Sequence, residues 1–212
     1  MAYLSMNDVL DELILQEKNV FTLGDAARIM HKDNGYVSKM LASNRKVVRI
    51  ERGKFFINKG KIWDLYEIAS QLVFPSYISL FSAFQYYSVT EQIVKRFSVI
   101  TLKRHRTIFV DNNTIEFIAI RRERFFGYTR DQNRYVAFLE KAIVDSIYLN
   151  TPPLSYVEEA FLAAFNRKKI EVDRLIDYSI EMKSKKVMKS VGHLLEMKGV
   201  KSKKLRGAIG DR

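Results

Sequence analysis

The sequence predicts an α+β protein with two domains. The chain has 212 residues, 47% of them hydrophobic and 28% charged, which is enough for two modest cores. Apolar residues at helical spacing, followed by a hairpin pattern, fill the first 60 residues. Pro75 marks the start of a second region, in which strand and helix patterns are mixed and the end is helical.

Two capping-box signatures predict the first two helices. Ser5 with Asp8 precedes an apolar series at helical spacing, and Thr22 with Asp25 opens a shorter helix that runs to about Met30. In each pair the hydroxyl and the carboxylate can bind the other residue's backbone N–H.

A third helix is predicted after a turn at residues 31–33, with Asp33 or Asn34 as its cap. Its buried stripe consists of Val37, Met40 and Leu41. The polar residues between them therefore face outwards.

A β-hairpin follows, with Arg52-Gly53 as its two-residue loop. This loop predicts the cross-strand pairs Ile50–Phe55, Val48–Ile57 and Glu51–Lys54. The tip of the hairpin is basic.

Three helices and then a basic hairpin is the order of a winged helix-turn-helix, predicted here for residues 1–60. Such a unit presents its third helix to the major groove and its wing to the backbone or minor groove. The candidate contacts with double-stranded DNA are Asn34, Tyr36, Ser38, Lys39, Arg49, Arg52 and Lys54. The alternative is a protein-binding adaptor of the same small fold, whose outward residues are only solvated.

The distribution of charge also favours a polyanionic partner. The formal net charge is +12, and residues 28–61 contain ten Lys or Arg against two acidic residues. Lys and Arg gain affinity for nucleic acid by releasing counterions from phosphates. A second concentration at residues 183–206 has nine basic residues against Glu196. We expect the tail from 198 onwards to be frayed, and either to aid solubility or to contact phosphates.

A connecting helix or linker is predicted for residues 61–74, and a mixed domain for residues 75–212. Its predicted elements are a helix from Ser76 to Tyr87, strands in "RFSVITLKR", "TIEFIAIRRERFF" and "RYVAF", and a helix in "LEKAIVDSIYLN". The part from Pro152 is predicted to be helical, with Ser155 and Glu158 as a capping box.

The ordered series "PSYISLFSAFQYYSVTEQIV", "FSVITLKRHR", "IEFIAI", "RFFGY" and "VAFLEKAIVDSIYL" resembles the AbiE-type antitoxin family, the AbiEi-like component of type IV toxin-antitoxin systems. The resemblance extends through about Asn150. It implies a regulator that represses its own promoter and whose second domain opposes a nucleotidyltransferase-like toxin. A stand-alone regulator of the same family is the alternative that this resemblance leaves open.

The sequence gives little support for an enzyme, and no cofactor is expected. The chain has no cysteine, and its three histidines lack a second ligand at metal-binding spacing. Asp111 and Glu116 are similar to the acidic pair of a metal-dependent nuclease, but Ile118 stands where such a site has lysine. Glu140 and Asp145 lie about 140° apart around a helix. No glycine-rich phosphate loop is present.

The sequence also argues against a membrane protein. No apolar run approaches the roughly 20 residues that a membrane-spanning helix requires, and acidic residues precede the first basic cluster. We therefore expect a cytoplasmic protein with no membrane partner.

Overall fold

The computed structural model describes residues 4–60, 64–93 and 95–210. The chain has the predicted α+β composition and forms two compact units, Met1–Leu72 and Val73–Arg212. Residues 61–63 of the predicted connecting segment lie outside the described residues, as do the first three and the last two residues of the chain. The remainder of that segment contains a helix that belongs to the first unit.

The first unit contains four helices and a three-stranded sheet among its described residues. In chain order its elements are α1 (Met6–Leu15), β1 (Val20–Thr22), α2 (Leu23–Met30), α3 (Asn34–Ser43), β2 (Val47–Glu51), β3 (Lys54–Ile57) and α4 (Leu65–Gln71). The sheet is antiparallel, with β3 between β1 and β2. Both predicted capping boxes are confirmed, at Ser5 and at Thr22. Strand β1 was not predicted from the sequence.

The core of the first unit lies between its first three helices and one face of the sheet. Val37 and Leu41 of α3 are buried, and Met40 packs against the same core. Burying a side chain of this size stabilises the fold by about 1.5–3 kcal/mol. This buried stripe fixes the orientation of α3 and leaves its polar face in solvent, as predicted.

The hairpin has a different register from the predicted one. The Glu51–Lys54 pair is confirmed, but a β-bulge lies between Arg49 and Glu51. Ile50 is the extra residue of the bulge, so the predicted pairs Ile50–Phe55 and Val48–Ile57 are wrong. The observed pairs are Arg49–Phe55, Val48–Phe56 and Val47–Ile57. A one-residue shift exchanges the faces of every side chain in the strand.

The second unit combines a six-stranded mixed sheet with helices. Its elements are β4 (Ser76–Ile78), α5 (Leu80–Tyr86), β5 (Arg96–Thr101), β6 (Ile108–Val110), β7 (Asn113–Ala119), β8 (Tyr128–Asp131), β9 (Arg134–Ala137), α6 (Leu139–Leu149), α7 (Leu154–Asn166), α8 (Val172–Glu181), α9 (Lys185–Glu196) and α10 (Lys203–Gly210). The strand order is β6-β7-β5-β4-β9-β8. The pairs β4–β9 and β5–β7 are parallel.

Strand β4 corrects the prediction of one helix from Ser76 to Tyr87. Tyr77 pairs with Ile100 of β5, and Ile78 pairs with Val136 of β9. Pairing with strands on both sides overrides the local pattern, because this segment completes the middle of the sheet. The helix begins only at Leu80.

Two further corrections concern the C-terminal helices. Helix α7 begins at Leu154 with Pro153 at its cap position, so the predicted cap at Ser155 is wrong. Proline suits a helix start because its φ angle is fixed near the helical value. The predicted frayed tail contains α10, where Leu205 is buried and packs beside Gly192 of α9.

Candidate nucleic-acid interface

The predicted recognition residues on α3 lie on its solvent face. Asn34, Tyr36, Ser38 and Lys39 are all exposed. Asp33 caps the helix by accepting a hydrogen bond from the Tyr36 backbone N–H, at 3.0 Å. The cap fixes the first turn, and with it the positions of the side chains that are predicted to contact bases.

The β-bulge determines where Arg49 lies. Because Arg49 pairs with Phe55, its side chain is on the face of the hairpin that also carries Phe55 and Ile57. Those two residues belong to the core between the hairpin and the helices. Arg49 itself is exposed, and its Nε donates a hydrogen bond to the carbonyl of Glu51 at 3.4 Å. The bulge therefore turns Arg49 towards α3.

Arg52 lies at the exposed tip of the hairpin. The next residue, Gly53, has a left-handed φ of 77°, which a residue with a side chain adopts only with strain. The carbonyl of Gly53 accepts a hydrogen bond from the backbone N–H of Leu23 at 2.9 Å. This bond ties the turn to the first residue of α2 and so restrains Arg52 relative to the helices.

The amine of Lys54 already has two partners within the first unit. Its Nζ lies 2.9 Å from a carboxylate oxygen of Glu51 and donates a hydrogen bond to the carbonyl of Leu72. Its side chain is only 27% exposed. A contact between Lys54 and a phosphate would have to compete with these two interactions.

A cleft of about 500 Å³ separates α3 from the hairpin. It is lined by Leu23, Ser38, Leu41, Ala42, Val47, Arg49, Arg52, Gly53 and Phe55. The floor is apolar, and the polar groups are one hydroxyl and two guanidinium groups. Guanidinium groups bind phosphate oxygens in a bidentate manner, so the cleft has suitable chemistry for a nucleic-acid backbone.

The second unit contains a buried charged pair that was not predicted from the sequence. Lys141 and Asp145 are one turn apart on α6, are completely buried and form an ion pair. The signal in the sequence was a lysine and an aspartate at (i, i+4) spacing within an otherwise apolar helix. In the sequence, the segment "EKAIVD" is part of the family resemblance, and its two carboxylates, Glu140 and Asp145, are predicted to point in different directions.

Two hydroxyl groups complete the hydrogen bonding of this pair. The Tyr77 and Ser79 hydroxyls donate to Oδ2 of Asp145, at 3.2 and 2.9 Å, and Lys141 Nζ donates to the Tyr77 hydroxyl at 3.2 Å. Burial raises the pKa of Asp145 and lowers that of Lys141, and the ion pair opposes both shifts. Burial and the nearby Asp145 raise the pKa of Tyr77. Because these four side chains are buried, they cannot contact a substrate. The cluster is suited to stabilising the fold.

The carboxylate of Glu140 has a separate role from that of Asp145. Glu140 accepts a hydrogen bond from the backbone N–H of Glu171 at 2.7 Å, and Glu171 is the cap of α8. The two carboxylates of α6 thus have different partners, in agreement with their predicted angular separation.

The described residues provide no support for a metal site or for a membrane-spanning helix. Across residues 4–60, 64–93 and 95–210 no group of three or more His, Asp or Glu could hold a metal ion. No helix in the same ranges is long and apolar enough to cross a membrane.

No protein-family model matches the chain, and no curated protein matches it.

Proposed function

We propose that residues 1–60 form a winged helix-turn-helix that binds double-stranded DNA. The protein is then a transcriptional regulator of the AbiE-antitoxin type, which represses its own promoter and opposes a nucleotidyltransferase-like toxin. The observation that carries the DNA-binding proposal is the cleft between α3 and the hairpin, where Ser38, Arg49 and Arg52 come together.

The connection between α2 and α3 supports this proposal. Helix α2 ends at Met30 and is followed by its C-cap His31, which has a left-handed φ of 54°, and α3 begins at Asn34 with Asp33 as its cap. A turn of three residues between two packed helices is typical of helix-turn-helix motifs. The hairpin then follows α3 directly and supplies a basic wing.

The antitoxin part of the proposal relies on the resemblance in the second unit. The quoted segments contain strand β4, most of β5 and β7, and helices α5 and α6. The charges of "EKAIVD" in α6 face into the core. A motif whose charged residues hold the fold together is consistent with a domain that acts through its surface. The second unit has its own core and is the part expected to oppose the toxin.

The first test concerns base recognition by α3. Base contacts specify the sequence, whereas phosphate contacts position the protein. We therefore expect Tyr36→Ala and Ser38→Ala to lower the preference for the gene's own upstream region over random duplex DNA, by about 1–3 kcal/mol for each base that is no longer recognised. Competition gel shifts at fixed salt measure this preference.

The matched control is Ser43→Ala, which removes a hydroxyl about 140° around the same helix from Ser38. Its Oγ bonds the carbonyl of Met40 within the helix, so its removal should leave the preference unchanged. If Tyr36→Ala and Ser38→Ala bound both DNAs like the parent while remaining folded, α3 would not read bases and the adaptor alternative would be favoured.

The second test concerns the division of labour between the units. Because residues 73–212 form a separate compact unit, we expect this fragment to relieve the toxicity of a cognate toxin while having no affinity for the promoter. Growth during co-expression with the product of a neighbouring nucleotidyltransferase-like gene measures protection, and gel shifts measure DNA binding. Protection that required residues 1–72 as well would refute the proposed division.

A further inference from the structure

A groove on the second unit combines exposed apolar side chains with a basic rim. It has a volume of about 510 Å³. The residues that line it are Phe81, Gln92, Ile93, Lys95, Arg96, Thr114, Pro152 and Tyr156. None of these residues has a role in the fold of the first unit or in the proposed contact with DNA.

The apolar side chains of the groove are unusually exposed. Ile93 is 87% exposed and Tyr156 is 36% exposed. Single exposed apolar residues are common, but a cluster beside a groove is typical of an interaction site.

One wall of this groove packs against the core of the second unit. The ring of Phe81 packs edge-on against Tyr156, with 5.9 Å between centroids, and against the buried Phe84 at 6.2 Å. The wall that these aromatic rings form is therefore preorganised, which lowers the cost of binding.

The rim of the groove is positively charged. Lys95 and Arg96 are exposed, and no lining residue is acidic. The rim residue Arg96 forms an ion pair with Glu116 at 3.6 Å, and both side chains are well exposed. Exposed pairs of this kind contribute little to stability, so an incoming carboxylate can replace Glu116 at small cost.

We propose that this groove binds an acidic segment of a partner protein, with one bulky apolar side chain of that segment against Ile93 and Tyr156 and its carboxylates on Lys95 and Arg96. Charge selects this occupant over a second copy of the chain, because each copy carries a net charge of +12 and would repel a basic rim. Ile93, the most exposed apolar residue of the groove, has no aromatic face on which a base could stack, and this favours a peptide side chain over stacked bases. This site goes beyond the proposed function and does not depend on DNA binding by the first unit.

The test uses the full-length chain and a library of phage-displayed random peptides. We expect the enriched peptides to combine Asp or Glu with a bulky apolar residue, and their binding, followed by fluorescence polarisation, to weaken as salt rises. Ile93→Glu should weaken it by about tenfold or more, because it removes the apolar contact that the bound peptide would bury and adds a charge of the same sign as the peptide's. Lys95→Gln should reduce the salt dependence.

The matched control for Ile93→Glu is Leu15→Glu. Leu15 is 78% exposed at the end of α1 in the first unit, so this change adds the same charge at an equally exposed apolar position and should leave peptide binding intact. Both residues lie outside the cores, and melting curves should therefore match the parent.

Three results would overturn the proposal. The first is a selection that enriches no acidic peptide, and the second is equal weakening by both glutamate variants. The third is that a short duplex DNA displaces the peptides and binds the Ile93→Glu variant more weakly than the parent. That result would show that the groove binds nucleic acid. Promoter binding is measured in parallel on the same proteins, so failure of the proposed DNA-binding function would be seen separately.

Discussion

Replacing Asp145 with alanine is expected to lower the free energy of unfolding of the second unit by about 3–5 kcal/mol, because the change leaves the Lys141 ammonium buried without a counter-ion. Lys141 and Asp145 are both completely buried. The Tyr77 and Ser79 hydroxyls would also be deprived of their acceptor. A decrease of this size is a large part of the stability of an ordinary domain. Denaturant unfolding of the full chain, followed by a signal from the second unit, measures it.

The control for this prediction is the double variant Lys141→Met, Asp145→Leu. Replacing both charges of a buried ion pair with apolar residues of similar size is often neutral or stabilising. The double variant should therefore recover the part of the loss that the unpaired ammonium causes, while the Tyr77 and Ser79 hydroxyls still lack their acceptor. A single Asp145→Ala variant that was destabilised by less than about 1 kcal/mol would contradict the interpretation, because it would show that the lysine reaches water or is neutral at little cost.

Gly127 explains in part why this pair can be so deeply buried. Its backbone has a left-handed φ of 70°, and a Cβ there would lie 3.1 Å from the Cβ of Lys141 and 3.0 Å from the ring of Tyr178. Only glycine allows the backbone to approach the lysine this closely without strain. The "RFFGY" segment of the resemblance thus supplies the wall of the cavity that contains the "EKAIVD" pair.

Local signals in the sequence were sufficient for the first three helices of the first unit. The caps at Ser5, Thr22 and Asp33 are formed by residues within three positions of each other, and such contacts depend little on the rest of the chain. The exposed face of α3 followed from the same local reasoning, because one buried stripe determines the orientation of a whole helix.

Features that depend on distant parts of the chain were not predictable in this way. Strand β4 exists because β5 and β9 lie on either side of it, and α10 exists because Leu205 finds a site beside α9. The bulge at Ile50 places Arg49 on the core face of the hairpin, and no turn rule applied to Arg52-Gly53 contains that information. Arg49 is nevertheless among the predicted contacts.

The second prediction follows from that bulge. Arg49 and Arg52 line the same cleft, so we expect the double variant Arg49→Ala, Arg52→Ala to weaken binding to the native promoter and to random duplex alike, by about a hundredfold or more. The reason is that a hydrogen bond to a charged group contributes about 1.5–3 kcal/mol. The slope of log affinity against log salt should also fall by about 1.8, because two phosphates are no longer neutralised. Gel shifts or fluorescence anisotropy over a salt series measure both quantities.

The matched control removes two positive charges from the second unit, through Lys103→Ala and Arg104→Ala in the loop between β5 and β6, where both side chains are exposed. It tests whether net charge alone explains the weaker binding, and we expect only a small change in affinity and salt slope. If Arg52 enters a narrow minor groove, the effect will be greater for the native promoter than for random DNA, because groove width depends on sequence. Equal effects of the two double variants would show that the cleft is not part of the protein's DNA-binding surface, since the arginines would then act only through the overall charge of the chain.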